Sequence, residues 1–363
     1  MVIKGGPPGP SQTRRLRSVW ISWEKQRRSV TLAQELGARP FILLERSDSI
    51  PFRLIRYAHL IIRTLLVLTK ERAQIVYCQN PSIVLAALLC LIRPLFRFVL
   101  VVDRHSNFWP DFPNQLQLRL FRRLSDYTIR KADLTIVTNH SLATLVDKIG
   151  GRSFVLQDRI PELTPGGKIT LEGEHNIAYV CSFDDDEAVP DVMETARLLD
   201  SSWRIYVTGN YRRHLQRFPC LHDPPSTILL TGFLSDQAYQ EILRSVDAVL
   251  VTTKHDHTLM CGAYEAIAVG KPVIASDTQA MKDYFTTGFV FTNHHPAQLY
   301  SALHFAMAHK DELSGQITAL KASLTEDWNT RFAQLNRLIQ EIAQERMTPP
   351  RRRTHSSGNP VSS

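Results

Sequence analysis

Cysteine is sparse in this 363-residue chain and shows no pairing pattern. Cys78, Cys90, Cys181, Cys220 and Cys261 are scattered, with no CxxC or other metal-ligand spacing, which excludes a disulfide scaffold and a zinc module. Such usage fits free thiols in a reducing, cytoplasmic setting. Long apolar runs are also missing. The stretch Ile83 to Ile92 is uninterrupted but well short of the roughly 20 residues that span a bilayer. Residues 1–16 are rich in glycine, proline and arginine and lack the apolar core of a signal peptide, so they read as a disordered basic tail. Residues 347–363 read likewise as a disordered tail. There is no zinc-finger, RRM or KH signature, and nucleic acid is not expected as a partner. No internal repeat appears beyond a recurring strand–helix–strand grain.

What remains is ordinary globular sequence, 44% hydrophobic and 21% charged, long enough for two domains. The formal charge of +8 is unevenly placed. Residues 1–165 carry 25 Lys and Arg against 12 Asp and Glu, a net +13; residues 166–363 carry 18 against 23, a net −5. A basic half joined to an acidic half argues for two domains with different partners, the basic one facing something anionic.

The most informative stretch is Val246 to Asp277. Val246–Thr252 reads as a strand, 253–261 as a loop, the run through Glu265, Ala266, Ile267 and Ala268 as a helix closed by Gly270 and Pro272, and Val273–Ala275 as a buried parallel strand. In such a βαβ unit the helix points its unpaired amides at the carboxyl edge of the sheet, where a diphosphate fits. Glu265, one turn into the helix, has two acceptor oxygens for a ribose diol.

The run Glu265-Ala-Ile-Ala-Val-Gly-Lys-Pro-Val273 resembles the donor-nucleotide signature of GT-B glycosyltransferases, especially glycosyltransferase family four (group 1). The resemblance covers most of 18–345 and is strongest over 227–285. It implies an α/β chain of two Rossmann-like parallel-sheet domains facing a cleft. The expected layout is an acceptor-side domain at 17–165, a nucleotide-sugar domain at 166–325, and a helix at 326–346 crossing back to the first. It implies a hexosyltransferase-like enzyme that moves a sugar from a nucleotide-diphosphate sugar to an acceptor hydroxyl with retention, in polysaccharide or glycolipid synthesis. No metal or other cofactor is implied. The family's usual second glutamate, eight residues before Glu265, is replaced here by His257, with Asp256 beside it. The first loop, glycine-rich in the family, carries Lys25, Arg27 and Arg28 instead. A nucleotide-sugar 2-epimerase, or a degenerate non-catalytic partner subunit, shares the same fold and stays open as an alternative.

The site expected on these grounds is as follows. Glu265 fixes the ribose, and amides of Met260, Cys261 and Gly262 hold the diphosphate. Lys254 or Arg212 and Arg213 supply positive charge. Thr208, Gly209, Gly232 and Phe233 close the donor side, the Thr-Gly-Phe run meeting the base. Asp256 or His257 replaces the missing glutamate. Asp103-Arg-His105 matches a family Asp-x-His, which places His105 at the reacting centre. Arg27 and Arg28 face a phosphate on the acceptor side. The quartet Asp184–Glu187 reads as a helix-start cluster rather than a metal site. Residues 52–72 read as an amphipathic helix with Arg53, Arg56, His59, Arg63 and Lys70 along one side, a candidate for an anionic membrane surface. A lipid-linked or phosphorylated acceptor and a peripheral place on the inner membrane face fit the basic half.

Overall fold

The computed structural model describes residues 16–44, 50–80, 82–104 and 114–347, the side chains of 50–54 and 347 excepted. The expected tails, apart from residues 16 and 347, lie outside these residues, and so does His105.

The first sheet is built from β1 (Ser18–Ser22), α1 (Arg27–Glu35), β2 (Arg39–Ile42), α2 (Ile50–Glu71), β3 (Ile75–Gln79), α3 (Ile83–Phe96), β4 (Val99–Asp103), α4 (Gln115–Lys131), β5 (Leu134–Val137), α5 (His140–Ile149) and β6 (Ser153–Val155). Its strand order is β2-β1-β3-β4-β5-β6, parallel from β2 to β5. The central strands β3 and β4 are buried at every residue, which is why their sequences are continuous apolar runs rather than alternating ones. Leu60 and Leu68 of α2 and Leu85 and Leu89 of α3 pack with Val19, Ile21, Val76 and Leu100 in one core. Helix α3 continues through Pro94 and is capped by Arg97 in the left-handed conformation. In the last turn a proline disturbs only the carbonyl four residues back.

The second sheet follows with β7 (His175–Tyr179), α6 (Val189–Arg197), β8 (Trp203–Thr208), β9 (Ile228–Gly232), α7 (Asp236–Ser245), β10 (Ala248–Val251), α8 (Cys261–Ala268), β11 (Val273–Ser276), α9 (Gln279–Tyr284), β12 (Phe289–Thr292), α10 (Pro296–Ala308) and α11 (Lys310–Met347). Its order is β12-β11-β10-β7-β8-β9, all parallel. Alternate strand residues feed opposite cores, as a period of two requires. Tyr179, Leu250 and Ile274 point to one, and Ala178, Val249, Val251 and Ala275 to the other, where α8 packs.

Contacts divide the chain into two compact units. One holds the described residues up to Ile136 with Val146–Phe154 and those from Ala333 onward; the other holds Val137–Leu145 and Val155–Phe332. Residues 164–167 lie in the second unit, and α11 runs from Lys310 to Met347. All five cysteines are free, and among the described residues no helix is long and apolar enough to cross a membrane.

Candidate functional site

In the second sheet the chain runs outward in both directions from β7 and β10, so the loops that follow these two strands diverge and leave a crevice at their carboxyl ends. Helix α8 opens at that edge. Its N-cap, Met260, is extended and its side chain makes no capping hydrogen bond. Gly262 lets the helix come this close. A Cβ there would lie 2.8 Å from Val251 Cγ1 and 2.9 Å from Val180 Cβ. Gly209 serves the same purpose after β8. Its φ is +103°, and a Cβ would meet the Cys181 carbonyl.

Glu265 sits in the second turn of α8 and is only 8% exposed. Tyr239, on α7, donates its hydroxyl to Glu265 Oε2. A buried carboxylate needs such a donor. The two residues lie 26 positions apart, and sequence spacing does not show that they meet.

The loop after β7 is organised by Glu187, which is buried. Its carboxylate accepts the amides of Ser182 at 3.0 Å and Asp184 at 3.1 Å. It also accepts the thiol of Cys181 at 3.1 Å. That contact and burial push the Cys181 thiol well above its ordinary range, burial being the larger cause. Asp186 accepts the Thr253 hydroxyl, and its carbonyl takes the Lys254 amide at 2.8 Å. Asp185 pairs with Arg217 at 3.2 Å. The quartet therefore shapes loops, and among the described residues no group of three or more His, Cys, Asp or Glu is placed to hold a metal.

The loop after β10 is fastened from the far side. Thr253 donates its amide to Ser276 Oγ at 2.8 Å, and Ser276 Oγ lies 2.8 Å from His294 Nε2. Burial holds His294 below its ordinary 6.5, with Asp191 opposing and Lys254 adding to the fall. Lys254 and Asp256 on this loop are exposed. His257 is half-buried; its Nδ1 is 2.8 Å from Ser141 Oγ, and its carbonyl accepts Asn139 Nδ2 at 2.8 Å.

The remaining candidates divide. Arg212 and Arg213 are exposed in a short 3-10 turn beyond β8. Phe233 is 84% exposed beside Gly232 at the end of β9. The Thr208 hydroxyl is spent on the Tyr179 carbonyl at 3.3 Å. These loops all lie at the carboxyl edge of one parallel sheet. In the first unit Arg28 is buried and grips Asp103, with Nε 3.0 and 3.1 Å from the two carboxylate oxygens and Nη2 at 2.9 Å. The reason is that Asp103 ends β4 inside the sheet layer and a buried carboxylate draws the nearest cation. Arg27 is exposed.

Residues 174–309 match the family model described as Glycosyl transferases group 1. No curated protein sequence matches the chain. Among solved structures, sucrose-phosphate synthase from Thermosynechococcus elongatus is similar at 11% identity with a TM-score of 0.72, over 91% of this chain and 100% of that one. Alr3699/HepE of Anabaena in complex with UDP-glucose is similar at 14% identity with a TM-score of 0.63, over 90% of this chain and 91% of that one. The lipopolysaccharide outer core galactosyltransferase WaaB, in its apo form, is similar at 14% identity with a TM-score of 0.59, over 90% and 99%. The fold is therefore GT-B, and within it residues 174–309 are similar to the domain described as Glycosyl transferases group 1.

Proposed function

We propose that the chain moves a sugar from a nucleotide-diphosphate sugar to an acceptor hydroxyl with retention of configuration, in the synthesis of a polysaccharide or glycolipid. The observation that carries this reading is the pairing of a helix N-terminus lacking a side-chain cap with a buried carboxylate one turn further in. The nucleotide-bound relative Alr3699/HepE, crystallised with UDP-glucose, supports the class of donor.

In this reading Glu265, oriented by Tyr239, takes the ribose hydroxyls. The amides of Met260, Cys261 and Gly262 receive the diphosphate. The C1–O bond to the diphosphate breaks, and a C1–O bond to the acceptor forms on the same face as the hydroxyl loses its proton. Negative charge grows on the departing diphosphate. Fixed amides and the exposed cations Lys254, Arg212 and Arg213 meet it without a metal. His257 and Asp256 stand where the sugar would lie. Phe233 offers a face to the base. The basic first half suits an acceptor that is phosphorylated or lipid-linked.

The test is calorimetry of UDP and UDP-glucose binding to wild type and Glu265→Ala. Loss of charge-assisted hydrogen bonds should weaken binding roughly a hundredfold or more. Equal affinity in the two proteins would remove the assignment. An acceptor-free incubation addresses the neighbouring chemistry: conversion of the lone nucleotide sugar would point to a 2-epimerase, and binding without turnover on any acceptor to a non-catalytic subunit.

A further inference from the structure

The outward surface of the first unit is apolar where a solvated helix layer is ordinarily polar. Right-handed crossovers from β2 to β3, β4 and β5 put α2, α3 and α4 side by side on one face of the sheet, and α3 touches both neighbours. On α2, Ile55, Ile62 and Leu66 are 55–65% exposed along a single stripe, while Arg56 and Arg63 lie half-buried at its flank. Of the basic side read from the sequence, His59 and Lys70 are exposed beside this stripe. On α3 the exposed stripe ends in Leu91 and Leu95, 70% and 79% exposed. On α4, Leu116 and Leu120 are 73% and 67% exposed, with Arg119 and Arg123 beside them at helical spacing.

We propose that this three-helix face docks on an anionic lipid bilayer. The central helix supplies the exposed Leu91 and Leu95 at its C-terminal end, and its two neighbours supply apolar side chains with cations next to them. Together the three helices hold ten lysines and arginines against Glu71 and Asp126. Arg39, outside the three helices, holds Glu71, while Arg130 lies 3.7 Å from Asp126 and Arg93 pairs with Asp133 at 2.9 Å, so the exposed Arg119 and Arg123 carry the positive charge beside the leucines of α4. A helix with this layout lies in the interface with its apolar side chains among the acyl chains and its cations at the headgroups. A second copy of the chain fits worse, because an isologous contact brings the same cations face to face. The proposal deepens the acceptor side of the function above and is independent of its donor side.

The experiment is co-sedimentation of the full chain with vesicles of phosphatidylcholine alone, and with roughly one-third phosphatidylglycerol, at two salt concentrations. Binding should favour the anionic vesicles and fall with salt. Leu95→Glu and Leu120→Glu should each lower partitioning roughly tenfold. Arg119→Gln and Arg123→Gln should each lower it roughly fivefold on anionic vesicles only. All four positions are exposed, so the variants should keep wild-type circular dichroism and UDP affinity, which separates a failure here from a failure of the donor reading. Wild type left in the supernatant, equal binding to both vesicles, or variants that bind like wild type would overturn the proposal. So would a concentration-dependent oligomer that Leu95→Glu dissolves, which would assign the face to a second copy.

Discussion

At the scale of single residues, Glu265 shows what a buried carboxylate demands. It is 8% exposed and holds the hydroxyl of Tyr239. A hydrogen bond to a charged, buried acceptor is worth about 1.5–3 kcal/mol. Tyr239→Phe should therefore lower the melting temperature. It should also weaken UDP binding severalfold, because a carboxylate no longer oriented from α7 meets the ribose less well. A variant with unaltered melting and unaltered affinity would show that this contact does not matter. Glu265 itself is legible in the sequence through the apolar helix, Gly270 and Pro272 around it. Its partner is not, because Tyr239 lies 26 positions away on another helix and only the fold brings the two together. His257 and Ser141, 116 positions apart, are hidden for the same reason.

Secondary-structure elements were largely visible in advance, and the exceptions have a physical cause. Buried parallel strands such as β4 and β10 announce themselves as short apolar runs. Helix α2 announces its periodicity too, but a period says only that two sides differ, not which one meets water. Its outward stripe turned out to carry Ile55, Ile62 and Leu66. The fastening of the β10 loop through Thr253, Ser276 and His294 was likewise out of reach, since it joins three strand ends. That clip should respond to pH. His294 is held below its ordinary 6.5 by burial, so the folded chain binds its proton less readily than the unfolded chain. As pH falls through about 6.5, the unfolded state takes up the proton first and stability drops; below the folded value the loss levels off. His294→Asn should flatten this part of the melting-temperature profile relative to wild type, and parallel profiles would exclude the histidine as the cause. At the neighbouring element, Gly262→Ala should cost about 1–3 kcal/mol, since its methyl has no room against Val180 and Val251. Thermal unfolding measures that cost, and the shifted α8 should bind UDP less tightly.

Across the whole molecule two doubly wound sheets repeat one architectural idea, yet their crevices differ in content. Each sheet has a point where the strand order reverses, between β1 and β3 in the first and between β7 and β10 in the second. In the first, the strand ends are occupied by the protein's own polar groups. Gln79 at the end of β3 accepts the hydroxyls of Ser22 and Ser29 and donates to Gln26, while Arg28 grips Asp103. In the second, a helix mouth without a side-chain cap and a carboxylate stand at the edge. This contrast predicts one nucleotide per chain, measured as a calorimetric stoichiometry of about one. It also predicts how the two edges respond to mutation. Arg28→Ala leaves Asp103 buried without this cation and should cost about 3–5 kcal/mol of stability, seen as a lower melting temperature, with UDP affinity per folded chain unchanged. Glu265→Ala should lose the Tyr239 contact, about 1.5–3 kcal/mol, and weaken UDP binding roughly a hundredfold or more. If Arg28→Ala instead weakened nucleotide binding in step with Glu265→Ala, the first sheet's edge would have to be counted as part of the donor site, and the division of labour between the two sheets would fail.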